Sequence, residues 1–320
     1  MADRGVLPAA APPPAAPARR RTRRSPASWV RGGGLGTLVF LLPMLAVFGL
    51  FSWSPIVQAV VMSFQETNLV TAPTFVGLDN FRAVLDDPLL WTAVKNTLWF
   101  AVLALLLGYP VPLLAAVLMS EVRRFKGLYS ALAYLPVVIP PVVAVLLWKF
   151  FYDASPTGVF NTMLGAVGIG PVPWLQDAGT AMVSLVIEAT WAAAGGTIII
   201  YLAALTGVPP ELYEAAEIDG ASVWGKVWHV TIPQLRGVLL ITFILQIVGT
   251  AQVFLEPFLF TGGGPANATT TVLLLIYNYA FANSLGGDYG SATALSLVLA
   301  AVLAVLSAIY FRLTRSWSAS

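Results

Sequence analysis

Six long stretches of apolar side chains decide what this chain can fold into. A helix needs about 20 consecutive apolar residues to cross roughly 30 Å of hydrocarbon. The stretches therefore predict six membrane-spanning helices, at residues 35–62, 97–119, 128–152, 181–205, 238–260 and 290–311. Because every backbone polar group must be satisfied inside a bilayer, we expect an all-α membrane protein.

The composition agrees with this class of protein. Charged residues make up 10% of the 320 residues, against about 25% in a typical soluble domain. The chain has no cysteine and one histidine, His229. This excludes disulfides, thiolate catalysis and cysteine-ligated zinc or iron–sulfur clusters. We therefore expect neither a metal site nor a cofactor bound by this chain.

Two further segments, residues 1–31 and 269–282, are not expected to cross the membrane. Residues 1–31 are rich in Ala, Pro and Arg and have too few apolar side chains to form a core. They predict a disordered cytoplasmic tail, followed by a transmembrane domain over residues 32–320. A second segment, residues 269–282, is apolar but too short to cross, because a helix of this length reaches only about 21 Å. It is expected at the outer surface, or dipping into the membrane.

The distribution of positive charge predicts the orientation, because Lys and Arg are enriched in cytoplasmic segments. With the N-terminus inside, 14 of the 17 Lys and Arg residues lie in predicted inner segments. Arg82, Lys95 and Lys149 are the other three. Both termini are therefore expected in the cytoplasm of a bacterial cell, with six crossings of the plasma membrane. The N-terminal arginines are expected to contact anionic lipid rather than nucleic acid.

One predicted cytoplasmic loop, residues 206–237, has clear helix signals. Pro210 suits the first position of a helix, and the residues after it are good helix formers. Gly220 stands where a left-handed residue commonly ends a helix, and Ser222 can cap the next helix. That second helix is expected to end at Pro233 and to have one apolar face, formed by Val223, Trp224, Val227 and Trp228. The loop predicts two short helices around a tight turn, with enough apolar surface to bind a partner.

Three short segments of this loop form a recognisable motif: Glu214-Ala215-Ala216, Asp219-Gly220-Ala221 and Ile232-Pro233. They resemble the EAA loop of the permease subunits of bacterial ABC importers. The family pattern is E-A-A-x-x-D-G-A, a spacer and I-x-L-P, and this chain departs from it slightly near the end. The sequence T-G-G-G-P at residues 261–265 resembles the carbohydrate branch, of the maltose and glycerol-phosphate type. The resemblance extends over about residues 35–315.

The resemblance implies a six-helix type I importer permease with a cytoplasmic coupling loop. It also implies the partners: a second permease subunit, two copies of a cytoplasmic ATPase that dock on the EAA loops, and an extracellular binding protein that delivers a sugar. This chain would then be a transport subunit and not an enzyme, with ATP hydrolysed by the partner. The sequence does not indicate which sugar, and another solute such as glycerol phosphate stays open.

The loop also contains a partial match to a nucleotide-binding motif. Residues 220–226 fit G-x-x-x-x-G-K, the start of a phosphate-binding loop. Residue 227 is valine where that loop needs the hydroxyl that binds Mg²⁺, and no buried strand precedes it. We therefore predict no nucleotide site here. The glycines of residues 261–265 could form an anion-binding nest, but a turn between span five and the next apolar segment explains them better.

Two acidic residues lie well within the predicted spans, Glu188 in span four and Glu256 in span five. A charged side chain there costs at least about 2.5–3.5 kcal/mol on insertion scales, so each is expected to face water or a partner. Gln252 and Glu256 are four residues apart and are expected on one helix face. We predict a sugar path from these groups together with Trp191, Gln246 and Tyr277. The alternative is that they pack one permease subunit against the other.

Two other classes of protein fit the sequence less well. An ion-coupled secondary transporter would have internal repeats and coupling carboxylates near the middle of the membrane, and the chain has no clear repeat. An intramembrane enzyme would need a Ser/His pair, paired aspartates or H-E-x-x-H within the spans, and the sequence has none of these. Dependence on a partner ATPase distinguishes an importer from an ion-coupled transporter.

Overall fold

The computed structural model describes residues 35–122, 124–282 and 286–317. The predicted tail, residues 1–31, lies outside the described residues. The α-helices are α1 Leu35–Phe48, α2 Ser54–Met62, α3 Asp79–Asp86, α4 Pro88–Leu103, α5 Pro110–Glu121, α6 Lys126–Val138, α7 Pro141–Phe151, α8 Val159–Gly165, α9 Ala178–Thr206, α10 Pro210–Ile218, α11 Val223–Lys226, α12 Ile232–Ala251, α13 Val272–Phe281 and α14 Tyr289–Trp317.

Short irregular elements complete the fold. Two strands, β1 Gln65–Glu66 and β2 Thr74–Phe75, pair antiparallel in the first predicted outer loop. π-helical turns, in which the helix is locally wider, lie at Gly49–Trp53, Ala104–Gly108, Val227–Thr231 and Pro257–Thr261. In the described part of the chain, five helices are long and apolar enough to cross a membrane, and a bent pair can form a sixth crossing. This agrees with the six spans that the sequence predicts.

The first span consists of α1, a π-helical turn and α2, and it ends at Met62 as the sequence predicts. Its large apolar side chains are exposed, for example Phe40 at 86% and Phe51 at 76%. An apolar surface of this kind suits lipid or a membrane partner.

Three of the π-helical turns end two residues before a proline. In each case the residue just before the proline donates its N–H to the carbonyl five residues back; the pairs are Ser54 to Gly49, Tyr109 to Ala104 and Ile232 to Val227. A proline ring clashes with the carbonyl four residues back in a regular helix. The wider turn relieves that clash, so the helices continue past Pro55, Pro110 and Pro233.

The second span begins earlier than the sequence predicts. It covers Pro88–Glu121, whereas the apolar pattern predicts 97–119. The Asp87 carboxylate caps the helix by accepting a hydrogen bond from the Leu89 N–H at 2.8 Å, and Pro88 occupies the first turn. The prediction was wrong by nine residues because Lys95 and Asn96 interrupt the apolar run. The cap and the proline are the better signal for where this helix starts.

The third predicted span, 128–152, is not a single helix. α6 and α7 meet at an angle of 100°. The prolines Pro140 and Pro141 explain the break, because a residue that precedes proline is pushed into extended backbone. Ile139 and Pro140 accordingly have ψ angles of 128° and 132°. The prediction of one kinked helix was wrong here, because two consecutive prolines end the first helix and start a second.

The fourth span, α9, lies at the centre of the packed helices. It contacts α5 and α6 along one side, and Gly195 brings its backbone against the Ala133 carbonyl, where a Cβ atom would clash. On the other side, Trp191 of α9 joins a cluster of aromatic rings from the third span and from the segment between the third and fourth spans. These rings, with centroids 5.4–5.8 Å apart, include Trp148, Tyr152, Phe160, Trp174 and Trp191.

The fifth span begins in the cytoplasmic loop and ends sooner than predicted. It covers Val223–Ala251, against the predicted 238–260. Beyond Ala251 the chain leaves the helix and forms the turn Pro257–Thr261, and the short helix α13 follows. The predicted apolar segment at residues 269–282 is thus confirmed as a helix too short to cross. The sixth span is the apolar part of α14, Tyr289–Tyr310, close to the predicted 290–311.

Candidate functional site

The first helix of the EAA loop is α10. We use EAA loop for residues 210–231. Pro210 begins the helix, as predicted, and Glu211 lies in its first turn, where a carboxylate complements the positive helix end. Glu214 and Ala215 are exposed, and Ala216 is half-buried. The motif residues thus form one helix whose acidic face is open to solvent.

The turn after α10 is a Schellman motif. Gly220 has a φ angle of +76°, which favours glycine, as the sequence predicts. The Ala221 N–H donates to the Ala216 carbonyl at 2.9 Å, and the Gly220 N–H donates to the Glu217 carbonyl at 3.0 Å. Asp219 is exposed at the start of this turn. The D-G-A part of the motif therefore supplies a sharp and fully hydrogen-bonded reversal of the chain.

The second helix of the loop does not end at Pro233. The Ser222 hydroxyl caps α11 by accepting from the Gly225 N–H at 3.2 Å. The chain then passes through the π-helical turn Val227–Thr231 into α12. The predicted helix end was wrong, because the wider turn accommodates Pro233 and its half-buried neighbour Ile232 inside a continuous span. The second half of the EAA loop is therefore the start of span five, whereas α10 is a separate helix before the turn.

The loop exposes large apolar side chains beside its carboxylates. Ile218 is 87% exposed, Trp224 62% and Trp228 64%. Val227 was predicted on the same face, but it is buried, because the wider turn rotates it toward Tyr213 and the inner side of the loop. Exposed tryptophans next to acidic residues are typical of a surface that binds another protein.

A cleft of about 400 Å³, largely apolar with a few polar side chains, lies further along span five. Gln246, Gln252 and Glu256, three of the predicted path residues, all line it. The helix ends at Ala251, however, so Gln252 and Glu256 do not share a face of one continuous helix. They reach the same cleft because the chain unwinds between them. Sequence reasoning did not identify the other polar lining residues, Thr190 and Thr250.

The other predicted path residues lie outside this cleft. Glu188 is 2% exposed, and its Oε2 atom has no hydrogen-bond partner within the described part of the chain. Trp191 packs against Trp148 with ring centroids 5.5 Å apart. Tyr277 stacks among the outer aromatic rings, 4.8 Å from Phe258. These three side chains therefore lie in packed surroundings rather than on the cleft surface.

Threonine side chains fix the T-G-G-G-P segment above the cleft. The hydroxyls of Thr261 and Thr269 lie 2.6 Å apart and share a hydrogen bond. Thr270 donates to the Gly263 carbonyl at 3.2 Å, and Thr271 donates to the Val253 carbonyl at 3.0 Å. The segment is a closely hydrogen-bonded turn between span five and α13. This agrees with the turn that the sequence favours over an anion-binding nest.

One protein family and two relatives are similar to this chain. Residues 108–318 match the family described as binding-protein-dependent transport system inner membrane component. The arabinooligosaccharides transport system permease protein AraP of Halalkalibacterium halodurans is 35% identical over 278 residues, covering 86% of this chain and 86% of AraP. The lactose transport system permease protein LacF of Rhizobium radiobacter is 37% identical over 282 residues, covering 87% of this chain and 93% of LacF.

Solved structures agree on the fold. A crystal structure of a bacterial ABC transporter involved in the import of the acidic polysaccharide alginate has a chain 27% identical to this one. The two superpose with a TM-score of 0.77 over 90% of this chain and 97% of the other. This confirms the predicted type I permease fold. The family match covers more than half of the sequence, and the chain therefore belongs to the family of binding-protein-dependent transport system inner membrane components, as a multi-pass membrane permease.

Proposed function

We propose that this chain is one permease subunit of an ATP-driven importer of a sugar or oligosaccharide. The observation that carries the proposal is the continuity of span five. One end of this span is the exposed EAA loop, and the other end unwinds beside a cleft that Gln246, Gln252 and Glu256 line. The names of AraP and LacF assign saccharides to those relatives, and a saccharide is accordingly the solute proposed here.

The partners follow from the same arrangement. A cytoplasmic ATPase, in two copies, binds the acidic and aromatic surface of the EAA loop and hydrolyses ATP, so this chain needs no cofactor of its own. A second permease subunit completes the path. An extracellular binding protein delivers the sugar; the alginate transporter has also been crystallised with its alginate pentasaccharide-bound periplasmic protein.

The cleft provides groups that suit a sugar. The amides of Gln246 and Gln252 offer both donors and acceptors, and the Glu256 carboxyl offers acceptors to hydroxyl groups. Phe254 adds an aromatic surface on which an apolar sugar face can pack.

Substitutions in the cleft test the sugar path. Gln252→Ala and Glu256→Ala should each reduce saccharide uptake by roughly tenfold, because each removes a hydrogen-bonding group from the path. The amount of assembled complex and its basal ATP hydrolysis should stay unchanged. Gln234→Ala, which removes an exposed amide of α12 elsewhere on the chain, is the matched control. Loss of assembly in proportion to uptake would favour subunit packing over a sugar path.

A charge reversal in the EAA loop tests the docking surface. Glu214→Lys should leave membrane insertion normal and reduce co-purification of the ATPase, because it reverses a charge on the exposed face of α10. Glu66→Lys, an exposed carboxylate of the predicted outer loop, should leave co-purification unchanged. Equal recovery of ATPase with Glu214→Lys and with the wild type would refute docking through this face.

Reporter fusions test the orientation. Because 14 of 17 Lys and Arg residues lie in the predicted inner segments, we expect both termini in the cytoplasm. A reporter that is active only in the cytoplasm should be active when it is joined after Ser320. Activity restricted to an outer-side reporter would reverse the topology.

A further inference from the structure

One ion pair connects the two halves of the EAA loop. The Lys226 ammonium lies 2.6 Å from the Glu217 carboxylate, across the turn at Gly220. The side chain of Lys226 is only 17% exposed, whereas that of Glu217 is 62% exposed. The hydrogen bond from Lys226 lowers the pKa of the Glu217 carboxyl below its ordinary value, so the pair stays charged at neutral pH. Lys226 is the lysine of the partial nucleotide-binding motif, and here it binds a protein carboxylate.

A second contact joins the same two elements. The hydroxyls of Tyr213 and Thr231 lie 3.1 Å apart and share a hydrogen bond. Tyr213 belongs to α10, and buried Thr231 belongs to the turn that leads into α12. The ion pair and this hydrogen bond thus tie α10 to span five at two separate points, on both sides of Val227.

The connection from α10 to span four is different. Residues 207–209 join the two helices without helical structure, and Pro209 and Pro210 prevent the helix of span four from continuing. A cleft of about 480 Å³ separates the loop from the inner ends of α5 and α9. Among the described residues, no side-chain hydrogen bond or ion pair links α10 to α9. The loop is therefore fastened to span five and hinged at span four.

We propose that Lys226 is a positioning residue for coupling: through Glu217 it fixes the angle between α10 and span five, so that displacement of α10 by the ATPase moves span five as one body. This inference rests on the proposed docking of an ATPase at α10. Span five is the element that receives the movement of α10. Since span five unwinds beside Gln252 and Glu256, a movement of this span reaches the cleft directly.

Distance measurements between spin labels test the proposal. The chain has no cysteine, so pairs of labels can be introduced without background. Leu212→Cys with Gln234→Cys places exposed labels on α10 and span five, and Leu212→Cys with Ile200→Cys places them on α10 and span four. In the purified full complex, the α10–span five distance should be narrowly distributed and unchanged by ATP. The α10–span four distance should change when ATP is added.

Substitution of the ion pair gives the second part of the test. Lys226→Ala and Glu217→Ala should broaden the α10–span five distance distribution and reduce ATP-driven uptake of the reconstituted complex by roughly two- to fivefold, the range of an exposed ion pair. Lys226→Arg should behave as the wild type. The exchange Glu217→Lys with Lys226→Glu should recover what each single reversal loses.

Two results would overturn the proposal. One is an α10–span five distance that is as narrow in Lys226→Ala as in the wild type. The other is a double exchange no better than its single reversals, which would mean that Lys226 contacts the ATPase directly. Failure of the ATPase to co-purify with the wild-type chain is a separate outcome, because it refutes the proposed docking and with it the coupling.

Discussion

The two ends of span five are built in opposite ways. At the predicted cytoplasmic end, the EAA loop is held by contacts between residues close in the sequence, such as the Glu217–Lys226 ion pair, nine residues apart. At the outer end, the turn at residues 261–271 is held by a distant helix. Asn96 of α4 donates to the carbonyls of Asn267 and Thr270 at 2.7 and 2.9 Å.

The two ends also differ in exposure. Thr269, Thr270 and Thr271 of the outer turn are buried, whereas Ile218 and Trp224 of the inner loop are largely exposed. A buried turn with long-range hydrogen bonds is part of the folded scaffold. An exposed loop with local hydrogen bonds can keep its shape while a partner binds and leaves. The difference indicates that substitutions should affect stability at the outer end and coupling at the inner end.

The largest effect is expected at Gly263. A Cβ atom there would lie 2.5 Å from the Thr270 hydroxyl oxygen, and the φ angle is +94°. Gly263→Ala should therefore destabilise the protein by about 2–4 kcal/mol, through strain and a clash inside a buried turn. The melting temperature of the purified protein measures this. Gly262→Ala is the matched control: its φ is +60° with free space for a Cβ, so only about 1–2 kcal/mol of backbone strain is expected. Equal melting temperatures for the two variants would contradict close packing of the turn.

A smaller effect is expected at Asn96. Asn96→Ala removes two hydrogen bonds to the outer turn, and we expect a loss of about 1–3 kcal/mol. Asn96→Ala should lower the melting temperature clearly, and it should lower uptake measured below that temperature only slightly. Lys95→Ala, at the exposed neighbouring position, should leave the melting temperature unchanged. A shift of similar size in both variants would mean that Asn96 has no particular role in holding the turn.

At the inner end, strain should affect coupling before stability. Gly220→Ala places a side chain at a φ angle of +76° on an exposed turn with free space around it, at a cost of about 1–2 kcal/mol. ATPase co-purification should decrease while the melting temperature changes little. Gly237→Ala is the control, because Gly237 lies in a regular helix with free space and no positive φ. The comparison fails if Gly220→Ala lowers the melting temperature as much as Gly263→Ala.

The smallest effect is expected at Tyr213. Tyr213→Phe removes the hydroxyl that meets Thr231 and leaves the ring in place, so we expect a change of about 0.5–1.5 kcal/mol in the local free energy of the loop. Hydrogen exchange at the amides of α10 should become faster, while exchange at α13 stays the same. Faster exchange at both places would show that the two ends are not independent.

The same contrast between local and long-range contacts explains which parts of the site the sequence predicted. Pro210, Gly220 and Ser222 are signals that act on their immediate neighbours, and each has its expected role in the structure. Pro233 was predicted to end a helix, but the helix continues through it. The wider turn before Pro233 depends on how the helix is packed. The sequence grouped Gln246, Gln252 and Glu256 as path residues and expected the last two on one helix face. All three line one cleft because the chain unwinds after Ala251.

The sequence by itself determined the class of protein, the apolar stretches that form the spans and the turn of the EAA loop. These depend on the length of apolar runs and on caps and turns, which act over a few residues. The 100° break at Pro140–Pro141 and the start of span two depend on local prolines and on the Asp87 cap, which the apolar pattern alone does not show. Only the tertiary structure decided that Asn96 holds the outer turn. The physical reason is that a helix end inside a membrane is set by which distant group satisfies its backbone. The hydropathy of the segment does not contain that information.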